Sequence, residues 1–369
     1  MNRLYTNYLL GKNWLKNRIV MAPMTRSRSI GNVPNDLVAE YYTQRSGAGL
    51  IVTEGVSPSP NGLGYARIPG IFNQEQAQAW KKATDGVHRN QGRIFVQLMH
   101  SGRVGNPLNL PAGAELVAPS AVGLEGNVWT DAEGNQPYSV PREMNSSDIK
   151  NTIQEYVNAS KLAIEAGFDG VELHGANGYL IEQFLHPSAN KRNDEYGGSY
   201  QNRNRFAVEV AKAVVQAIGA DKVGIRLSPY GVFNGLENHD EIEKQYEDLA
   251  ISLGKIGLVY IHIVDHSSMG APKPTETVIS TIRKEYKTGN ASGTYILSGG
   301  YDPARAESDL EKGNADLIAF GRPFISNPDL VERFQNGIPL TEADQSTFYT
   351  PGEKGYTDYP TAALSGAKG

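Results

Sequence analysis

Eight short apolar runs recur along the chain, at residues 18–24, 50–55, 93–99, 167–174, 222–228, 258–265, 294–299 and 315–322. Each is rich in Val, Ile and Leu on both pleat faces instead of alternating with polar residues, which is the pattern of parallel strands covered by helices. Stretches of helix-like periodicity fill the gaps at 74–89, 147–166, 201–218, 239–255, 275–286, 303–312 and 328–336. In 147–166, Asp148 lies in the first turn, Ile149, Ile153, Val157 and Ile164 keep near-helical spacing, and Gly167 follows the end. Eight strand and helix units on 369 residues predict an α/β fold, a (β/α)8 TIM barrel; a doubly wound sheet would need fewer strands or a second domain.

The pattern predicts a single domain over 1–369 with three irregular regions. The first, about 103–145, separates strand three from its helix and is rich in Gly, Pro and Asn. Loops longer than about 15 residues are usually functional, so this insertion is expected to cap the barrel mouth. The second, 184–200, lies between strand four and its helix. The third is the tail, 337–369, where TFYTPGEKGYTDYP is too rich in Gly, Pro and Tyr for a helix.

Composition narrows the function classes. Hydrophobic residues make up 39% of the chain, enough for a large core, and no tract suggests disorder. The 35 Lys and Arg against 40 Asp and Glu leave a net charge of -5 without long runs of one sign, which argues against nucleic acid and anionic membrane as partners. Cysteine is absent, so disulfides, thiolate metal sites, cysteine-ligated clusters and a thiol nucleophile are excluded together. The first residues, MNRLYTNYLLGKNWLKNR, hold only a brief apolar patch broken by Gly11 and Lys12, so a cytoplasmic protein is expected.

In a barrel of this kind catalytic groups sit at the C-terminal ends of the strands. Those ends carry Thr25, Gly55, Gln97, His174, Arg226, Gly299 with Gly300, and Gly321 with Arg322. The last two pairs follow strands seven and eight, where backbone N–H groups and an arginine suit a phosphate, although glycine pairs there also serve as plain tight turns. Gln97 offers both a donor and an acceptor to an imide edge. Arg226 suits a delocalised negative charge, as on a reduced flavin, or equally a structural ion pair at the rim. His174, Asn177 and Tyr179 fall within one short loop: two groups able to donate to one oxygen, and a phenol able to deliver a proton beside it. No metal is expected, because His100, His174 and His262 lack carboxylates at ligand spacing.

These residues carry a resemblance. RIVMAPMTR at strand one, QLMHSGR at strand three, HGANGYLIEQFLHPSANKRNDEYGGS at strand four, RLSP at strand five, SGGY at strand seven and IAFGRPFISNPDL at strand eight are similar, nearly end to end, to the Old Yellow Enzyme family of FMN-dependent ene-reductases. The resemblance implies FMN bound noncovalently at the C-terminal mouth. Pro23, Met24, Thr25, Gly55, Gln97 and Arg226 match positions around its ring, with Thr25 tuning its potential, and Gly299, Gly300, Gly321 and Arg322 match the phosphate end. His174 and Asn177 match the pair that binds the carbonyl or nitro oxygen, Tyr179 the proton donor, and Tyr65, Met99, Thr25 and Tyr349 positions that shape the substrate pocket.

The implied reaction is ping-pong, with NADPH as reductant and electrophilic alkenes as acceptors, nitro compounds or nitrate esters being further candidates. A monomer or homodimer is expected. Thr25 stands where another branch has a redox-tuning Cys, which aligns the chain with the branch of N-ethylmaleimide and pentaerythritol tetranitrate reductases. Met99, smaller and more flexible, stands where several of those enzymes have Trp, which leaves open how far their substrate preferences carry over. Two other readings stay open on sequence alone: a cofactor-free barrel acting on a phosphorylated metabolite, for which no strand end supplies a convincing Lys or carboxylate, and a flavin-binding sensor without turnover. The stretch 190–206 is expected to be a hydrogen-bonded support for the loop before it.

Overall fold

The apolar runs become eight strands in the structure, a computed structural model that describes residues 2–362: β1 (Ile19–Met21), β2 (Leu50–Val56), β3 (Ile94–Leu98), β4 (Gly170–Gly175), β5 (Val223–Leu227), β6 (Tyr260–Val264), β7 (Thr294–Ser298) and β8 (Leu317–Phe320). All pair in parallel and in chain order, and β8 closes on β1. The barrel therefore leaves no free strand edge. One main helix follows each strand: α1 (Asp36–Gln44), α2 (Gln74–Arg89), α3 (Ser146–Glu165), α4 (Tyr200–Ile218), α5 (Ile242–Ile256), α6 (Glu276–Gly289), α7 (Pro303–Glu311) and α8 (Leu330–Asn336). Helix starts follow capping chemistry. Asn35, Asn73, Asn145, Ser199, Thr275 and Asp302 each accept a backbone N–H of the first turn, and Asn145 forms a full capping box with Asp148. Each cap contributes about 1 kcal/mol.

The strands divide their residues between two cores. Val171 and Leu173 of β4 pack outward under the helices, as do Ile225 of β5 and Ile261 of β6. Inside the barrel lie Val20, Leu50, Val52, Phe95, Tyr260, Ile296 and Leu317, with Leu10 and Leu15 from the hairpin Tyr8–Leu10/Asn13–Leu15 in the same cluster. Gly224 is what admits the Tyr260 ring, since a Cβ there would lie 2.3 Å from it.

The predicted (β/α)8 barrel is the observed fold, with local differences. The sequence pattern missed α1, a nine-residue helix that buries only Val38, Tyr41 and Tyr42. A short helix, Leu180–Leu185, begins before the stretch predicted to be irregular after strand four. Segment 103–145 holds two small sheets, Val117–Ala118 with Arg142–Glu143 and Asn127–Thr130 with Gly134–Pro137. Its Leu124 and Tyr138 pack against the cluster that contains Met99 and Tyr179. The tail from 337 to 362 has a single three-residue 3-10 turn, Gln345–Thr347, and the remainder of the predicted tail lies outside the described residues. Buried guanidiniums tie it down: Arg26 donates to the carbonyls of Phe348 (3.2 Å) and Gly355 (2.7 Å), and Arg28 to those of Thr347 (2.8 Å) and Phe348 (2.7 Å). Among the described residues no helix is long and apolar enough to cross a membrane.

Candidate active site

The interior of the barrel turns polar just below its C-terminal mouth. Strand register sets Glu172 beside Gln97, His174 beside Arg226 and Arg226 beside His262. Glu172, fully buried, accepts from Gln97 Nε2 (2.8 Å) and Tyr260 OH (3.0 Å) and lies 2.9 Å from His262 Nδ1. Burial alone would push its pKa up, but His262, Arg226 and Gln97 outweigh it and hold the carboxyl below its ordinary value. Sequence reasoning missed Glu172, Tyr260 and His262. The signal was there, because Glu172 and His262 each stand between two apolar residues in the middle of a strand run.

Removing Glu172 leaves several buried polar groups without their common acceptor. Glu172→Ala is expected to cost about 3–5 kcal/mol, read by urea unfolding at neutral pH. Because the native pKa is depressed, this contribution is present above the ordinary carboxylate range and is lost as pH falls through it. The difference between wild type and variant should therefore shrink in acid.

Above this layer, β4 runs into the loop of His174, Asn177 and Tyr179. His174 Nδ1 accepts from the Ala176 N–H at 3.3 Å. Burial first, then Arg226, His262 and His266, push its pKa well below the ordinary value, so the ring is neutral and its proton sits on Nε2. Asn177 adopts φ 60° and Gly178 φ 75°. That turn is caged: the Asn177 N–H donates to Ser228 Oγ (3.1 Å), its carbonyl accepts from Asn234 Nδ2 (2.7 Å), and the Gly178 N–H donates to Glu182 Oε2 (2.6 Å). Ser228 Oγ in turn donates to Glu182 Oε1 at 2.6 Å. Burial lifts Glu182 to about 7 against these hydrogen bonds.

Tyr179 leads into the short helix, its ring edge-on to His174 at 4.9 Å and its hydroxyl 3.1 Å from that of Tyr65. Burial raises its pKa to about 12, with the Tyr65 hydrogen bond opposing. The phenol is therefore a proton holder across the working range. Behind the loop, Asn190 Nδ2 donates to the carbonyls of Phe184 (2.8 Å) and Tyr196 (2.7 Å), and Arg203 Nε to that of Leu185 (2.9 Å). The stretch 190–206 thus has the supporting contacts expected of it.

All three side chains line one cavity of about 820 Å³. Every other residue matched from the sequence to a flavin or substrate position lines it too. Pro23, Met24 and Thr25 enter after β1, Gly55 from β2, Gln97 from β3 and Met99 just after it, Arg226 from β5, Gly299 and Gly300 after β7, and Gly321 and Arg322 after β8. Tyr65 and Tyr349 complete the mouth, Tyr349 being 61% exposed. Met99 packs directly on Gly55, where a Cβ would meet its sulfur at 2.4 Å. Gly299 has φ 119° and a Cβ there would lie 2.1 Å from the Asp265 carbonyl oxygen, so only glycine fits. Phe233, His266, Ser298 and Phe348 also line the cavity and were not foreseen: Phe233, His266 and Phe348 come from loops with no motif to mark them, and Ser298, the first residue of SGGY, was passed over for the glycines that follow it.

A sequence model of the NADH:flavin oxidoreductase / NADH oxidase family matches residues 3–341. The chain belongs to this family. The oxidoreductase is 42% identical over 374 residues to chanoclavine-I aldehyde reductase of Penicillium roqueforti, spanning 98% of this chain and 97% of that one. It is 40% identical over 379 residues to 12-oxophytodienoate reductase 7 of Oryza sativa subsp. japonica, at 97% and 94% coverage. Among solved structures, morphinone reductase in complex with tetrahydroNAD superposes with a TM-score of 0.91 at 43% identity, covering 97% of each chain. The protein is thus an FMN-dependent oxidoreductase of the Old Yellow Enzyme kind.

Proposed function

We propose that this oxidoreductase reduces carbon–carbon double bonds conjugated to a carbonyl or nitro group. The observation that carries the reading is the convergence of a neutral His174 with its proton on Nε2, the Asn177 carboxamide and a protonated Tyr179 on one cavity.

The residues present fit FMN. Arg226 is buried at the cavity wall and its Nε has no hydrogen-bond partner, so it lacks an acceptor that a flavin ring supplies. Gln97 keeps its carbonyl and one N–H beyond the bond to Glu172. Pro23, Met24, Thr25, Gly55, Gln97 and Arg226 would hold the ring, and Gly299, Gly300, Gly321 and Arg322 the phosphate, without a covalent link. FMN bound there would supply the hydride chemistry, accepting hydride from a nicotinamide nucleotide and delivering it to the alkene carbon β to the activating group.

The chain's own part is electrostatics and a proton. His174 Nε2–H and the Asn177 amide donate to the substrate oxygen and stabilise the negative charge that develops on it, which is where preorganised donors contribute most. Tyr179 gives its hydroxyl proton to the α carbon and recovers one from solvent. The product has gained one hydride and one proton. Met99, Tyr65 and Tyr349 shape the pocket, and nitro compounds and nitrate esters are further candidate acceptors.

The reductant is a reduced nicotinamide nucleotide. The sequence resemblance implies NADPH, whereas the family description and the tetrahydroNAD complex name the non-phosphorylated form. Comparing kcat/KM with each nucleotide decides between them. The test of the whole reading is uptake of FMN, followed by turnover of cyclohexenone, a maleimide or a nitroalkene. A protein that stays colourless with FMN, or whose bound flavin no alkene reoxidises, contradicts it. Localisation to the cytoplasm and a monomer or homodimer complete the proposal.

Segment 103–145 acts in this reading as a cap. Arg67 joins it to the tail: its guanidinium pairs with Asp131 of the segment, donates to the Tyr349 carbonyl at 2.9 Å, and donates through Nε to the Ser27 carbonyl at 3.0 Å. Arg67→Ala removes these bonds. It is expected to raise the alkene KM by about fivefold, equivalent to roughly one net hydrogen bond of about 1 kcal/mol, with little change in kcat.

A further inference from the structure

The backbone cage around Asn177 fixes where the residue sits but not which end of its carboxamide faces the cavity. The terminal torsion of asparagine is broad and close to two-fold, so the bonds its main chain makes, donating to Ser228 and accepting from Asn234, leave that choice open. Only one orientation serves an oxygen-bearing substrate. The Nδ2 end adds a second donor beside His174, while the Oδ1 end sets two oxygens against each other. One contact decides between them: His266 Nε2 lies 2.6 Å from Asn177 Oδ1.

We infer that His266 is the positioning residue that holds Asn177 Oδ1 and thereby presents Nδ2 to the substrate oxygen. The inference rests on the reading of His174 and Asn177 as the oxygen-binding pair.

His266 is itself well placed for the task. It follows β6 on a loop whose Asp265 carbonyl packs against Gly299 so closely that no side chain fits there. Its ring rests 4.6 Å from that of Phe233, and it is only 8% exposed. Burial, reinforced by Arg226 and opposed by Asp265, lowers its pKa to about 4, so the ring is neutral and carries one proton. With that proton on Nε2 it donates to Oδ1. With the proton on Nδ1, Nε2 would have to accept from the amide, and Oδ1 would turn toward the substrate. The tautomer of one histidine therefore sets the polarity of the site across 89 residues of sequence.

Two measurements on the FMN-loaded protein test this. Long-range nitrogen–proton NMR of the 15N-histidine-labelled wild type reports the tautomer, with the His266 signal assigned by its loss in His266→Gln. The Nε2–H form is expected, and the Nδ1–H form overturns the inference. Calorimetric titration with cyclohexanone, which has the oxygen but no double bond to reduce, reads the consequence. His266→Phe should weaken binding about tenfold, His266→Gln, which still donates, by no more than about threefold, and His266→Phe should add nothing in an Asn177→Ala background. Equal losses in the Phe and Gln variants, or an undiminished loss in that background, overturn the inference. If wild type and Asn177→Ala bind cyclohexanone equally, the oxygen-binding reading fails instead, and the tautomer still reports the contact.

Discussion

Replacing His174 and Asn177 together with alanine is expected to lower kcat/KM for alkene reduction by about a thousandfold or more, with FMN still bound. The estimate follows from the loss of one preorganised donor, which costs about a hundred- to a thousandfold in comparable sites. Losing the second does not multiply that factor in full, because both act on one oxygen. The location of the loss matters more than its size. His174 is level with Arg226, and Asn177 follows it on the loop, while Glu172 and Gln97 pair two residues earlier on the strands, so the barrel beneath should be undisturbed. Anaerobic stopped-flow should show reduction by the nicotinamide nucleotide changed only modestly and reoxidation by cyclohexenone nearly abolished. Equal slowing of both halves would indicate damage to the flavin site and not the loss of an oxygen-binding pair.

Tyr179→Phe is expected to slow reoxidation by the alkene about a hundred- to ten-thousandfold, the usual contribution of a positioned acid, and to spare reduction. The phenol pKa of about 12 fixes the accompanying pH profile. A proton donor works in its protonated form, so the alkene half-reaction should be level from acid through neutral pH and fall only as pH climbs toward 12. Were His174 the acid, the sign would be the same but the window different. Its pKa lies well below the ordinary histidine value, so the rate would already have fallen by neutral pH. A level profile through neutrality together with a slow phenylalanine variant singles out the phenol.

How much of this was legible in the sequence follows from which interactions are local. The barrel was readable because runs such as 93–99 and 222–228 are apolar on both faces, and helix α2 was bounded as expected because its amphipathic stripe is sixteen residues long. Helix α1 was not, since nine residues with Val38, Tyr41 and Tyr42 buried make too short a stripe to stand out after a Gly-, Pro- and Asn-containing loop. The proposed catalytic loop was visible because His174, Asn177 and Tyr179 are neighbours in sequence and the motif around them is long. The groups that tune and orient them were not. Glu172 meets Tyr260 and His262 only when β5 pairs with β4 on one side and β6 on the other, and Asn177 meets His266 only through the loop after β6. Arg67 likewise reaches Asp131 and Tyr349 through tertiary structure alone. Such contacts lie far apart along the chain, where neither periodicity nor spacing marks them.

The central claim is that one cavity passes a hydride to the β carbon of an activated alkene while Tyr179 protonates the α carbon. Its most direct test is a single anaerobic turnover: FMN-loaded protein reduced with nicotinamide nucleotide deuterated at the transferable position, then mixed with 2-cyclohexenone in ordinary water. The account predicts rapid return of the visible flavin absorbance, with cyclohexanone carrying deuterium at the β carbon and solvent hydrogen at the α carbon. Flavin that stays reduced, or product without deuterium at the β carbon, would contradict it.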